Sequence, residues 1–503
     1  MGVQKKTLLS FLYKGWFSVI IQVILGALSA FAFAPFHQTW LLFLTFSGLM
    51  FCLNKTMCRR SLVGRAFAFG FGFGVASMGW VCEALMIDGG QFAWLIPLAL
   101  IGLGVFFGVC FALPALGVLF VPVGVRRWLV FSVLFVLVEW GRSWLVFGGL
   151  PWNLLGNVWT GFLPVLQVVS VLGIYGLSLC SVLLFTAPAL WKGYPKLVIG
   201  VLVGACFVAA MGAVRLYTTK IDNVWGVRLR LVQPNIAQTL KWNPTQYEDN
   251  FLKLIRLSRQ NNQNITHVIW PESAVPFVMN ENEEERVRIM SALRQGSFLL
   301  TGGLRRVPES GAIANSFFIL DDLTDIHGYY DKTHLVPFGE YVPLRGILPI
   351  DKIVPFESDF YKGKGVQTIS VPKAPPVSPL ICYEIIFPGE VVDSSNRPGW
   401  IVNVTNDAWF GLTAGPYQHY DAAVVRAVEE GLPVVRVANH GVTGVINPLG
   451  KTVARLPLGQ EGVLDSDLPT ALPKTIFVRF GHWIWIVFST LILLFSIKRQ
   501  NKS

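Results

Sequence analysis

AWLIPLALIGLGVFFGVCFALPALGVLFV, residues 93–121, contains no Asp, Glu, Lys or Arg. About 20 consecutive apolar residues cross the hydrocarbon core of a bilayer as a helix. A helix is also the conformation in which one segment satisfies its own backbone groups in lipid. The stretch therefore reads as a transmembrane helix, and it has company. Comparable apolar runs lie at 16–34, 39–53, 61–82, 128–146, 162–190 and 196–213, with a further one at 482–497. Other spans follow the first run at once and no small-residue cleavage site ends it, so it reads as a span and not as a cleaved signal peptide.

Composition agrees. The 503 residues are 53% hydrophobic and 14% charged, with 17 Trp, 37 Phe and a mean hydropathy of +0.53; a soluble domain carries about a quarter charged residues. The shortage is local. Residues 1–215 are almost free of acids, whereas 216–475 have the make-up of an ordinary globular domain. The expected organisation is a transmembrane domain of about seven helices at 1–215, a globular domain at 216–475, and a C-terminal transmembrane helix with a cytoplasmic tail at 476–503. The net charge of +11 does not point to nucleic acid: the basic residues cluster between apolar runs, and the soluble part has no basic-aromatic stripe.

Those clusters orient the chain. Lys5, Lys6 and Lys14 precede the first run; Lys55, Arg59 and Arg60 follow the second, Arg126 and Arg127 the fourth, Lys192 and Lys196 the sixth, and Lys498, Arg499 and Lys502 the last. The alternate loops at 35–38 and 84–92 have neither Lys nor Arg, and Glu83 and Asp88 lie there instead. Cytoplasmic loops are the basic ones, so the large segment after the seventh span is expected outside. Gly70, Gly72 and Gly74 suit close helix packing. Glu139 and Arg142, three apart on one helix, read equally as a structural ion pair or as a substrate-facing site. Trp152, within Pro151-Trp152-Asn153, is first an interfacial anchor and second a ligand contact.

From Val227 the pattern alternates short apolar strands with amphipathic helices. Strands are expected at Val227–Val232, His267–Trp270, Phe298–Gly302, Ser316–Leu320, Leu380–Cys382, Trp400–Val404, Pro433–Ala438 and Val442–Asn447. Helices are expected at Thr245–Gln260, Glu283–Gln295 and His419–Glu430. That alternation implies a layered α/β domain, which places its chemistry in loops at strand ends.

Seven Cys are present, and six of them (Cys52, Cys58, Cys82, Cys110, Cys180 and Cys206) belong to the membrane half, where Cys acts as a small apolar side chain. Cys382 alone lies in the soluble domain, at a strand-to-loop turn. A thiol needs a base to become a nucleophile. Glu272 follows one strand, within Trp270-Pro271-Glu272-Ser273, and Lys332 lies in Tyr330-Asp331-Lys332-Thr333-His334. Singly, Glu272 reads as a helix N-terminal carboxylate and Lys332 as a solvated turn residue. Converging at one sheet edge with Cys382, they would supply base, oxyanion stabiliser and nucleophile. His334 or His419 offers an alternative base of the papain kind.

Three segments, Trp270-Pro271-Glu272, Asp331-Lys332-Thr333-His334-Leu335-Val336-Pro337-Phe338-Gly339-Glu340 and Ile381-Cys382-Tyr383-Glu384, resemble the signatures of the nitrilase superfamily in the expected order. Asn403-Val404-Thr405-Asn406-Asp407-Ala408-Trp409-Phe410-Gly411 is similar to the segment that follows the family's cysteine. With spans on both sides, the chain over nearly its full length resembles the apolipoprotein N-acyltransferase family. The resemblance implies an αββα sandwich on the outer side of a bacterial inner membrane. It makes Glu272 the general base, Lys332 the oxyanion stabiliser and Cys382 the nucleophile. Glu340 and Glu384 match further acidic positions, Tyr383 offers a backbone N–H to the oxyanion, and Trp242 and Trp152 match tryptophans near substrate. His440, within Arg436-Val437-Ala438-Asn439-His440-Gly441, departs from the smaller polar residue common there.

The implied reaction moves an acyl chain from a phospholipid donor, through a Cys382 thioester, to the amine of a diacylated apolipoprotein acceptor, by a monomer without cofactor or metal. A membrane-anchored amidohydrolase would use the same residues and pass the thioester to water or ammonia. A transporter or receptor would show paired half-repeats, and none is present in the sequence. A zinc hydrolase would pair His with Cys, Asp or Glu at ligand spacing, and the seven His are scattered.

Overall fold

The computed structural model describes residues 15–55, 58–87, 90, 92–145, 148–241, 243–261, 263–342 and 359–497. These fall into two compact units, one within Met1–Arg142, Pro151–Thr218 and Phe480–Ser503, the other within Ser143–Leu150 and Thr219–Arg479.

The first unit is helical. Among the described residues, Arg59–Met86, Ala93–Phe120, Val125–Leu145, Val169–Leu190 and Pro195–Thr218 are long and apolar enough to cross a membrane, and Phe17–Ala32, Leu41–Lys55 and Trp483–Ser496 are shorter apolar helices. The run at 162–190 is not one straight helix: a short helix, Leu163–Leu166, precedes Val169–Thr186, and inside the latter Gly173 turns to φ 67 and breaks the ladder. In lipid no hydrophobic drive separates apolar side chains from their surroundings, so helices pack through close backbone approach. Gly72 and Gly70 show why small residues are needed: a Cβ on Gly72 would lie 2.0 Å from the Val23 carbonyl oxygen, and one on Gly70 2.4 Å from that of Phe107. Phe46, Phe69, Phe73, Phe111 and Phe135 fill the interior with ring centroids 5.1–6.2 Å apart.

Glu139 and Arg142 are both buried, 4.0 Å apart. Each also serves the loop that follows: the Leu155 N–H donates to Glu139 Oε1 at 2.8 Å, and Arg142 Nη2 donates to the Asn153 carbonyl at 3.3 Å. The pair thus ties down the 153–155 backbone. Trp152 is buried beside Trp80, ring centroids 5.1 Å apart.

The second unit contains, among the described residues, eleven strands: β1 (Asn223–Gln233), β2 (His267–Ile269), β3 (Phe298–Arg306), β4 (Ile313–Leu320), β5 (Ile326–Asp331), β6 (Val377–Ile381), β7 (Trp400–Thr405), β8 (Val434–Ala438), β9 (Thr443–Ile446), β10 (Thr452–Leu456) and β11 (Gly462–Pro469). One sheet runs β11-β1-β2-β3-β4-β5, the other β10-β9-β8-β7-β6. The first has a parallel centre, β1-β2-β3, with antiparallel strands on both sides; in the second β6-β7-β8 run parallel from one edge, and β9 and β10 are added antiparallel beyond β8. Strands buried on both faces read as continuous apolar runs, and β2, β6, β7 and β8 are buried throughout. The sheets touch through β1 with β8 and β4 with β6.

Helices cover the outer faces. Tyr247–Arg259 presents Phe251, Leu254, Ile255 and Ser258 at helical spacing, packed with Val232, Val268 and Leu299, and the Trp270 indole donates to Ser258 Oγ at 2.8 Å. Gly415–Glu430 starts four residues before the expected His419, with Pro416 in its first turn, and ends at Gly431 in the left-handed conformation, φ 66. It packs on β8 and β9. The helix expected at Glu283–Gln295 stops at Ile289, because the chain tightens into a 3-10 turn and Leu293 is already extended.

Candidate active site

Three strands, β2, β5 and β6, end at loops that carry polar residues. After β2 the chain passes Trp270-Pro271 to Glu272; after β5, Asp331 leads to Lys332; after β6, Ile381 leads to Cys382. A close packing of backbones fixes the first of these. Gly302 on β3 lies so near the Glu272 loop that a Cβ there would sit 2.6 Å from Glu272 Cα.

Glu272, Lys332 and Glu340 form one buried cluster. The Lys332 ammonium donates to Glu340 Oε1 at 3.0 Å and to Glu272 Oε1 at 3.4 Å. Asn315, on β4, donates through Nδ2 to both carboxylates, at 2.8 Å to Glu272 and 3.1 Å to Glu340. Glu340 Oε2 accepts the Val336 N–H at 2.9 Å, which closes the loop on itself. Lys332 is 1% exposed. Burial alone would pull its pKa down, but the charges of Glu340 and Glu272 more than reverse this, and it stands well above the usual lysine value.

Cys382 opens a 3-10 turn, Cys382–Ile386, with φ 56. A left-handed residue with a Cβ costs about 1–3 kcal/mol, so its neighbours must hold it. Glu384 does much of this. Its Oε2 accepts the Ile381 N–H at 2.7 Å, while its Oε1 accepts the Thr333 N–H at 2.6 Å, the Thr333 and Tyr330 hydroxyls at 2.9 Å each, and the His334 N–H at 3.0 Å. One carboxylate therefore ties the cysteine turn to the lysine loop. Tyr383 adds a second tie, its hydroxyl donating to the Leu335 carbonyl at 2.9 Å, and the Lys332 ammonium lies 5.9 Å from the Tyr383 ring centroid. Burial, followed by the negative charge of Glu272, pushes the Cys382 thiol up to about 12 against the opposite pull of Lys332.

The two histidines considered as bases are committed elsewhere. His334 Nε2 lies 2.5 Å from Glu390 Oε2, and its ring stacks on Phe387 at 4.0 Å. His419 is fully buried with Nε2 3.2 Å from the Cys382 carbonyl oxygen, not its sulfur. His440 Nδ1 lies 2.6 Å from Asn235 Oδ1, pinning the loop that follows β1.

Three pieces escape sequence reasoning. Asn315 sits in an apolar strand, where a lone amide signals a buried partner. Lys241 donates to the Glu272 carbonyl at 2.9 Å and lines a cleft with Glu272, Ser273, Tyr247 and Asn439. The third is the joining of Asn403, Asp407 and Arg436 to His419, which sequence reasoning weighed only as a base, in one buried group behind Cys382. Trp152 belongs to the helical unit, and Trp242 lies outside the described residues.

Two family models match this chain: the apolipoprotein N-acyltransferase N-terminal domain over residues 25–187 and carbon-nitrogen hydrolase over residues 228–474. A protein of Rhodopseudomonas palustris named apolipoprotein N-acyltransferase is 37% identical, over 97% of this chain and 96% of its own length. A protein of the same name from Bradyrhizobium diazoefficiens is 35% identical, over 97% of this chain and 96% of its own length. Among solved structures, an amidase from Nesterenkonia sp. aligns at 17% identity over 53% of this chain and 98% of its own, with a TM-score of 0.36.

Proposed function

We propose that this chain, which belongs to the apolipoprotein N-acyltransferase family, moves a fatty acyl group from a membrane phospholipid, through a thioester on Cys382, to the N-terminal amine of a diacylglyceryl-cysteine on an apolipoprotein. The observation that carries this reading is the Lys332 ammonium held between the Glu272 and Glu340 carboxylates at 3.4 and 3.0 Å, on a loop that Glu384 binds to the turn of Cys382.

In the first half-reaction Glu272 takes the thiol proton as sulfur attacks the ester carbonyl of the phospholipid. Negative charge gathers on the carbonyl oxygen, where the Lys332 ammonium and the Tyr383 backbone N–H stabilise it; one such donor is worth about 3–4 kcal/mol. The carbon–oxygen bond then breaks, the glycerol oxygen takes the proton from Glu272, and a lysophospholipid leaves. In the second half-reaction the acceptor amine attacks the thioester, Glu272 takes its proton, and sulfur departs and is reprotonated. Splitting the transfer in this way gives ping-pong kinetics. Glu340 holds Lys332 and Glu384 holds the cysteine turn; a substrate-binding role for Trp242 and Trp152 rests on the resemblance alone.

The chain is a membrane protein, and its family relatives carry the lipoprotein-modifying name. The alternation of basic loops supports eight spans in a bacterial inner membrane, with the domain at 216–475 on the periplasmic side between spans at 1–215 and 476–503. Both substrates are lipids, so a catalytic domain flanked by spans works at the bilayer surface, as a monomer. The deciding experiment is mass spectrometry of the purified full chain after incubation with phospholipid alone. An acyl adduct on Cys382, absent in Glu272→Ala, is expected. An unmodified thiol in active enzyme refutes the scheme, and transfer only to water, even with a diacylated lipopeptide present, assigns the site to a hydrolase.

A further inference from the structure

The Cys382 carbonyl oxygen is gripped from inside the second sheet. Asn403 Nδ2, on β7, donates to it at 3.0 Å, and His419 Nε2, on the helix Gly415–Glu430, lies 3.2 Å from it. Both groups are themselves fixed by Arg436 on β8. That guanidinium donates to Asn403 Oδ1, to Asp407 Oδ2 at 2.6 Å, and faces His419 Nδ1 at 3.0 Å. Asp407 Oδ1 takes the Thr405 hydroxyl at 3.0 Å. Asn403, Thr405, Asp407, His419 and Arg436 are all 0% exposed, so water supplies none of these bonds.

The carbonyl sets which imidazole nitrogen faces it as a donor. A carbonyl oxygen only accepts, so the imidazole carries a hydrogen on Nε2, aimed at Cys382. The other ring nitrogen, Nδ1, is held between Asp407 Oδ1 at 2.9 Å and Arg436 Nη2 at 3.0 Å, and Arg436 and Asp407 are themselves paired. Cys382 meanwhile occupies a conformation, φ 56, that a residue with a Cβ abandons unless its surroundings over-determine it. Two donors on one carbonyl, each braced by a buried ion pair, provide that restraint.

We infer that His419 and Asn403, braced by Arg436 and Asp407, are positioning residues for the nucleophile: by holding the Cys382 carbonyl they keep the residue left-handed and aim its sulfur at the acyl carbon. The inference rests on Cys382 being the nucleophile and assigns His419 no proton transfer.

The test uses the purified full chain in vesicles of phosphatidylethanolamine and phosphatidylglycerol, following acylation of Cys382 by mass spectrometry in a single turnover and the KM for phospholipid in steady state. His419→Leu removes the donor and is expected to slow acylation about 100-fold, the cost of a misplacement of about 1 Å, with the KM unchanged. His419→Gln retains an N–H within reach of the carbonyl and is expected to recover most of the rate. Where His419→Leu fails to accumulate, His419→Asn replaces it, being polar but too short to reach the carbonyl, with the same slowing expected. Wild-type acylation in folded His419→Leu or His419→Asn overturns the inference. So does a rise in KM that matches the loss of rate, or a His419→Gln protein as slow as His419→Leu. Cys382→Ala keeps the two readings apart: if transfer survives that substitution the nucleophile assignment fails, whereas its abolition together with wild-type rates in His419→Leu sinks this inference alone.

Discussion

Glu384→Gln exchanges one oxygen of a carboxylate that accepts five hydrogen bonds for an NH2 group. The remaining oxygen can serve the four donors now on Oε1, which come from Thr333, Tyr330 and His334. The NH2 is then forced against the Ile381 N–H, which stands 2.7 Å from Oε2 in the native protein. Flipping the amide is worse, since it sets a donor against four. A bond to a charged acceptor contributes about 1.5–3 kcal/mol, and an orphaned buried N–H costs a further 1–3 kcal/mol. Relief of the desolvation of a carboxylate only 1% exposed offsets part of this. The net loss is about 2–4 kcal/mol, which for a domain of this size lowers the melting midpoint by roughly 5–15 °C. Hydrogen exchange read by mass spectrometry localises the effect: peptides covering Tyr330–His334 and Ile381–Glu384 should lose protection while those covering β1 and β11 keep it. Wild-type protection in both loop peptides, with an unchanged midpoint, would refute the assignment of Glu384 as the tie between them.

Lys332→Met leaves the Glu272 and Glu340 carboxylates facing each other across Asn315, and single-turnover acylation of Cys382 should fall by about 10²–10³-fold. Lys332→Arg should not restore it, because a planar fork does not fit a site shaped for a compact ammonium; acylation within tenfold of wild type in either variant argues against the role. Since only the thiolate reacts and the thiol is raised to about 12, alkylation of Cys382 by iodoacetamide should climb about tenfold per pH unit from pH 7 to pH 10 without a plateau. A plateau near pH 8 would contradict this; Glu272→Gln removes a charge that raises the thiol and should speed alkylation at every pH, and alkylation no faster than wild type would contradict that. Gly302→Ala puts a methyl 2.6 Å from Glu272 Cα and 2.7 Å from Ser273 N, so acylation should drop at least tenfold, by the same misplacement argument, without loss of the helical unit. Circular dichroism together with the acylation assay checks this, and full activity would mean that the Glu272 loop has room to move.

Legibility in the sequence followed burial. The inner strands of both sheets are apolar runs that stand out against their loops, and Glu272 and Cys382 could be found because each follows such a run, whereas Lys332 was found through the motif Asp331–Glu340. β11, Gly-Val-Leu-Asp-Ser-Asp-Leu-Pro, escaped notice because it is an edge strand with only its last residues well buried, and its pairing with β1 joins residues some 240 positions apart. β5 alternates half-buried and exposed positions too briefly, Ile326–Asp331, to declare itself. Asn315 and Arg436 were visible as polar residues inside apolar strands, a pattern that demands partners. The partners, however, come from loops far away in the chain, and no local spacing announces them. His419 shows the converse: its chemistry suggested a base, and only the packing of its helix reveals which atom of Cys382 it meets.

A thiol raised to about 12 is an odd resting state for a nucleophile until the charges around it are followed. The cluster beside it holds one ammonium, Lys332, against two carboxylates, Glu272 and Glu340, with burial on every side. Releasing the thiol proton to solvent would add a second uncompensated negative charge to a low-dielectric site, and that is the cost the raised value expresses. Passing the proton to Glu272 adds none, because the negative charge only moves from carboxylate to sulfur while Lys332 stays charged beside both. The barrier to activation in the proposed mechanism is thus set by the difference between two neighbouring acids, not by the acidity of the thiol toward water. A site built this way keeps Cys382 unreactive toward soluble electrophiles and lets sulfur attack only when an ester carbonyl is in place to accept the charge.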